Sequence, residues 1–136
     1  MNNIIIESKK KNDLVEFLQL ADFQVDDLGN HLYQVSRHDE IPVFISVMDS
    51  SIFFEVDLGN ITEIADKDLY FKILDMNTEI LPVSFGINNT NAEDPRLVIV
   101  ESRSTHDLSD QELLGVFDSL EIAVDRAEAL LSKKLS

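Results

Sequence analysis

Three histidines, His31, His38 and His106, are the only imidazoles in the chain. Each lies in or beside a segment rich in turn residues, with no second ligand at a spacing such as His-x-x-x-His, so no metal-centred reaction is indicated. Glu55 and Asp57 come nearest to an acid–base pair: two apart on an alternating segment, they face the same side of a sheet, where one carboxyl can donate a proton and the other accept one. The wet face of an antiparallel sheet produces the same spacing without any catalysis. The acidic pairs Asp26 and Asp27, Asp39 and Glu40, and Glu93 and Asp94 fall outside an Asp-x-Asp-x-Asp-Gly loop, which is what gathers oxygen ligands around one calcium ion. There is no Gly-x-Ser-x-Gly elbow, and the chain's 4 glycines form no phosphate-cradling loop. The complete lack of cysteine removes disulfides, thiolate zinc sites and a cysteine nucleophile. Asn88-Asn89-Thr90 matches a glycan acceptor, which has meaning only in a secreted chain. These residues lead to an expectation of no catalytic, cofactor-binding or metal-ligating group, and hence of a protein that is not an enzyme.

The elements that would position such residues are more legible. At 136 residues, 44% of them hydrophobic and 27% charged, the chain fits one domain with a real core, spanning 1–136. The 26 acidic against 11 basic residues give a net charge of -15, which opposes any grip on a phosphate backbone, so nucleic acid is excluded as a partner. Ile4, Ile5 and Ile6 precede Lys9, Lys10 and Lys11, the wrong order for a secretion signal, and no apolar run reaches the roughly 18 residues of a membrane span. A cytoplasmic protein without membrane insertion is expected.

Helical spacing of Leu14, Phe17, Leu18 and Ala21 predicts a helix over about 12–22, with Asn12 as its cap. Three strands follow, over about 31–36, 41–48 and 52–58, separated by turns at 27–30, 38–40 and 49–51. Asp-Leu-Gly-Asn occurs twice, at 27–30 and 57–60, and reads as one turn chemistry used in two places, since its flanks do not match. A second helix over about 66–80 carries Leu69, Tyr70, Ile73, Met76 and Ile80 on one side and is stopped by Leu81-Pro82. Two apolar strands, 83–88 and 96–102, flank a polar turn.

The last helix opens on a capping box, Ser109 with Glu112. Leu113, Phe117, Leu120, Val124, Ala127 and Leu131 form its seam, and Leu114, Val116, Ala123 and Leu130 widen that seam into a stripe suited to a sheet. Gly115, Ile122 and Ala129 repeat every seven residues away from the stripe, where a second backbone can approach. Asp107, Asp110, Glu112, Asp118, Glu121, Asp125 and Glu128 make the solvent side acidic. Gly115, Ile122 and Ala129 together with Asp118, Asp125 and Glu128 form the candidate interaction surface.

The order helix, three strands, helix, two strands, helix, with small size, acidity and a long last helix, resembles the type III secretion chaperones. The stretch Leu69-Tyr70-Phe71-Lys72-Ile73-Leu74-Asp75-Met76-Asn77 and then Val83-Ser84-Phe85-Gly86-Ile87 resembles them most. Leu81-Pro82-Val83-Ser84-Phe85-Gly86-Ile87 is also similar to the YjfI-type bacterial family, whose members are often encoded near relatives of phage shock protein A. The resemblance implies an α+β fold, with a mainly antiparallel five-stranded sheet and three helices in the order α-β-β-β-α-β-β-α. It implies a noncatalytic, homodimeric chaperone or adaptor for a protein client, and brings no catalytic residue or cofactor. A small-molecule-sensing regulatory subunit and an enzyme of unrecognised type are the other readings.

Overall fold

The computed structural model describes residues 11–106 and 108–135, and side chains from 14 onward. The expectations for residues 1–10 and for Asp107 lie outside the described residues. The order is α1 (Lys11–Leu20), β1 (Gln24–Gly29), β2 (Leu32–Ser36), β3 (Val43–Val47), β4 (Ser51–Gly59), α2 (Lys67–Met76), β5 (Ser84–Asn88), β6 (Arg96–Ser104) and α3 (Asp110–Leu135). The strands form one sheet in the order β1-β2-β3-β4-β6-β5. The chain divides into two compact units, one of residues 1–56 with 101–115 and the other of residues 57–100 with 116–136.

In the first unit, β1 to β4 pair antiparallel, each with the next. Their register puts Val25 opposite Val35, Asp27 opposite Tyr33, Tyr33 opposite Ile45 and Ile45 opposite Phe54 on one face. Tyr33, Val35, Val43, Ile45, Ile52 and Phe54 on that face are buried, as are Leu14 and Leu18 of α1. The opposite face carries Gln34, Phe44, Ser46, Phe53 and Glu55, all half-buried. This is the alternation of a sheet with one face turned to the core.

The sheet has six strands, against the five expected. The additional one is β1, whose sequence Gln-Val-Asp-Asp-Leu-Gly is almost entirely exposed and acidic. Aspartates are poor strand formers, and an edge strand with little side-chain burial lacks the hydrophobic alternation that reveals its neighbours. The turn predicted at 27–30 moves accordingly to Asn30 and His31, both at positive φ between Gly29 and Leu32, the geometry of a tight hairpin. Asn12 falls within α1 rather than before it.

In the second unit, β5 and β6 pair antiparallel, with Phe85 opposite Ile99 and Ile87 opposite Leu97. Helix α2 ends at Met76, short of the expected 80, and the Asn77 side chain just beyond it accepts a bond from the Phe85 amide at 2.6 Å. Leu69, Ile73 and Ile80 are buried, whereas Tyr70 is exposed instead of joining them. Along α3, Leu113, Val116, Phe117, Leu120, Ala123, Val124 and Ala127 are buried, whereas Leu114, Leu130 and Leu131 of the expected stripe are half-buried. The capping box is present: Ser109 Oγ accepts from the Glu112 amide at 3.0 Å and donates to Glu112 Oε1 at 3.1 Å.

Candidate interaction surfaces

The polar clusters organise turns. Asp57 Oδ1 accepts from the Gly59 amide at 2.8 Å, as Asp27 Oδ1 does from Gly29 at 2.8 Å, so the repeated tetrapeptide builds the same side-chain turn twice. Gly29 and Gly59 sit at φ of 86° and 105°, which a side chain would oppose. Around the second turn, Arg96 Nε bonds Asp57 Oδ1 at 3.2 Å and its Nη1 bonds Asp94 Oδ2 at 3.2 Å, while Asn60 donates to Asp94 at 2.8 Å. The Asn60 amide, and then Arg96, hold the Asp94 carboxyl below its ordinary pKa, and Asp57 foremost raises that of Arg96. Asp57 is thereby committed to a structural cation, and Glu55 has a partner of its own. Among the described residues, no three of His, Cys, Asp and Glu come together to hold a metal ion.

Helix α2 is fixed at both ends. Asp66 caps it by accepting from the Leu69 amide at 2.8 Å, and the same carboxylate pairs with Lys134. Those bonds, Lys134 first, hold Asp66 below its ordinary pKa. Glu79, just past the helix, pairs with Arg126 at 2.7 Å. The outward side of α2 is apolar: Phe71 is 69% and Leu74 66% exposed, with Tyr70, Leu81 and Ile87 also exposed nearby in sequence or on β5. Tyr70, Leu74, Phe85 and Ile87 help line an apolar cavity of about 250 Å³ between α2 and β5. Strand β5 ends the sheet, so this surface runs up to an edge.

The other edge is β1. Beside it, Val15 and Glu16 of α1 and Val25, Asp27 and Tyr33 of the sheet line a second cavity of about 250 Å³. Tyr33 is only 2% exposed. Burial, and then the charge of Asp27, raise its hydroxyl pKa. Neither cavity was legible beforehand, because each depends on which helix lies over which strand.

Of the expected surface on α3, Ile122 is 60% exposed, and Ala129, Asp118, Asp125 and Glu128 are exposed as well. Gly115 is half-buried, with open space where a Cβ would stand. Among the described residues, no helix is long and apolar enough to cross a membrane.

Among the described residues, the sheet ends at β1 on one side and at β5 on the other, and no group of His, Cys, Asp and Glu is gathered to hold a metal ion. The chain belongs to the CesT_Tir_1 family of type III secretion chaperone-like proteins, whose model matches residues 7–134. The fold is similar to that of a chain in the heterodimeric ExoU–SpcU complex from the type III secretion system of Pseudomonas aeruginosa. That match has a TM-score of 0.69 and 14% identity, and covers 85% of this chain and 94% of that one. It is also similar to YbjN, a putative transcription regulator from E. coli, with TM-score 0.65, 13% identity, and coverage of 94% and 95%. An uncharacterized protein from Methanothermobacter thermautotrophicus matches with TM-score 0.61, 11% identity, and coverage of 93% and 99%. No curated protein matches the sequence.

Proposed function

We propose that this protein is a noncatalytic, chaperone-like binding protein for a protein client, acting as a cytoplasmic homodimer with each chain one folding domain. The observation that carries this reading is the pair of strands that end the sheet, β1, which is acidic, and β5, which lies beside an exposed apolar surface. Family membership and the fold shared with a chain of the ExoU–SpcU complex support it.

A second copy is assigned to the α2 and β5 surface. Phe71, Leu74 and Leu81 are large apolar groups in water, which association would bury. The charges on α2 are mixed, Lys67 and Lys72 with Asp68 and Asp75, so two copies of it can meet without like-charge repulsion. The α3 face, with Asp118, Asp125 and Glu128, would repel its own copy. That face, including Gly115, Ile122 and Ala129, therefore serves the approach of a basic client, and the client lies as an added extended segment on β1. A link to a phage shock protein A-type stress system is the narrowest form of the reading, supported by the resemblance over 81–87.

Light scattering at micromolar concentration should give twice the 15.4 kDa of the chain, and Phe71→Asp with Leu74→Asp should halve that mass without loss of fold. Client binding is tested by capture from a native lysate and recombination of the purified partner with the pure chain. A single-chain mass across a dilution series contradicts the dimer; turnover of a substrate by the isolated chain contradicts the noncatalytic role.

A further inference from the structure

We propose that two copies of the chain meet antiparallel through α2, across a two-fold axis beside Phe71, with Lys67 of each copy paired to Asp75 of the other. The proposal rests on the dimer reading above and supplies its register and its charge code.

Lys67, Phe71 and Asp75 recur every four residues along α2, so they form one ridge of the helix, and all three are exposed. Phe71 stands midway, four residues from either charge. Ridges of this kind lie side by side when two helices pack, and an isologous contact repeats every pair that it makes. A two-fold axis beside Phe71 therefore brings Lys67 to the partner's Asp75 at both ends of the contact. The next ridge carries Tyr70 and Leu74, both exposed, which supply the apolar surface to be buried and lead into the cavity toward β5.

Within one chain these two charges are badly placed. Lys67 opens α2 and Asp75 lies in its last turn, each at the end of the helix dipole that disfavours its sign. Eight residues of helix hold them roughly 12 Å apart, too far to pair with each other. Neither has an ion-pair partner among the described residues, whereas Lys72 and Asp68 beside them pair at 3.0 Å. An antiparallel copy reverses both penalties, since Lys67 comes to the carboxyl end of the partner's helix and Asp75 to its amino end. A parallel copy would set lysine beside lysine and aspartate beside aspartate. A second copy carries the complementary charges at this spacing by symmetry, which is why it, rather than a client, is assigned to the ridge.

Sedimentation equilibrium of the full chain across a dilution series at low ionic strength reads the dimer dissociation constant. Lys67→Glu and Asp75→Lys should each weaken the dimer about tenfold, because each sets like charges against each other in both symmetry-related contacts. The sign for Asp75→Lys is diagnostic: it lowers the net negative charge, so general repulsion between copies predicts a tighter dimer instead. Lys67→Glu and Asp75→Lys in one chain should return the constant to within about twofold of the wild type, and so should an equimolar mixture of the two single variants. Both reversals suit the dipole of α2, so the helix should survive them, which circular dichroism checks. Single reversals that leave the dimer unchanged, or a loss that neither the double reversal nor the mixture restores, overturn the proposal while the dimer reading stands. A wild-type chain that stays single throughout the dilution series defeats the dimer reading, and this proposal with it.

Discussion

Gly115 separates two uses of the α3 surface at the level of one atom. With open space where its Cβ would be, Gly115→Ala meets no neighbour within the chain and lowers the entropy lost on helix formation. The free protein should gain about 0.5–1 kcal/mol in a urea melt. If a client's backbone approaches that position, the same substitution weakens the complex. Asp66 permits a second residue-scale prediction. Its bonds to Lys134 and to the Leu69 amide favour the carboxylate and hold its folded pKa below the ordinary 3.8. A folded pKa lower than the unfolded one gives stability that is present above the unfolded value and lost as pH falls through the folded value. Asp94 acts in the same direction, through Asn60 and then Arg96. Urea midpoints taken between roughly pH 5 and pH 2 should therefore fall more steeply in the wild type than in Asp66→Asn. Equal slopes would show that the Lys134 contact does not survive in solution.

At the scale of elements, α3 contributes the most side-chain burial and gives the sharpest stability test. Phe117 is 2% exposed in the middle of its stripe, and Phe117→Ala should cost about 3–5 kcal/mol by urea denaturation. A loss below about 1 kcal/mol would mean that the packing face is wrong. This stripe was legible in the sequence because helix period and burial coincide over about four turns, from Leu113 to Ala127, and the Ser109 and Glu112 box marked its start by a contact three residues long. The repeated tetrapeptide was legible as one local contact used twice, Asp to the Gly amide two residues on, but those residues end β1 and β4, and the hairpin turn itself falls at Asn30 and His31. Strand β1 was not legible, because its side chains are mostly exposed and acidic, and the backbone bonds that pair it to β2 leave no pattern in side-chain type. Tyr70 was misplaced on the buried side of α2 because a helix of 10 residues offers a narrow core stripe, which Leu69 and Ile73 already fill. The apolar surface on α2 and the cavity behind β1 depend on contacts between distant parts of the chain, which periodicity does not register.

For the molecule as a whole, the boundaries of the two compact units fall within β4, β6 and α3. Unfolding should accordingly be a single transition, with tyrosine fluorescence and far-UV circular dichroism giving the same midpoint. Two separated midpoints would show units that fold alone. On the proposed reading, the charge of -15 would govern how a basic client arrives rather than how long it stays. Exposed carboxylates are screened over about 8 Å at physiological salt, so added salt should slow association and leave dissociation nearly unchanged. The most direct test of the central claim, that an extended client is held on the sheet edge, is amide hydrogen exchange of the chain with and without its purified client. The account predicts slowed exchange at Gln24–Gly29 in the complex, with α3 little altered. Protection along the exposed side of α3 with β1 unchanged would contradict it.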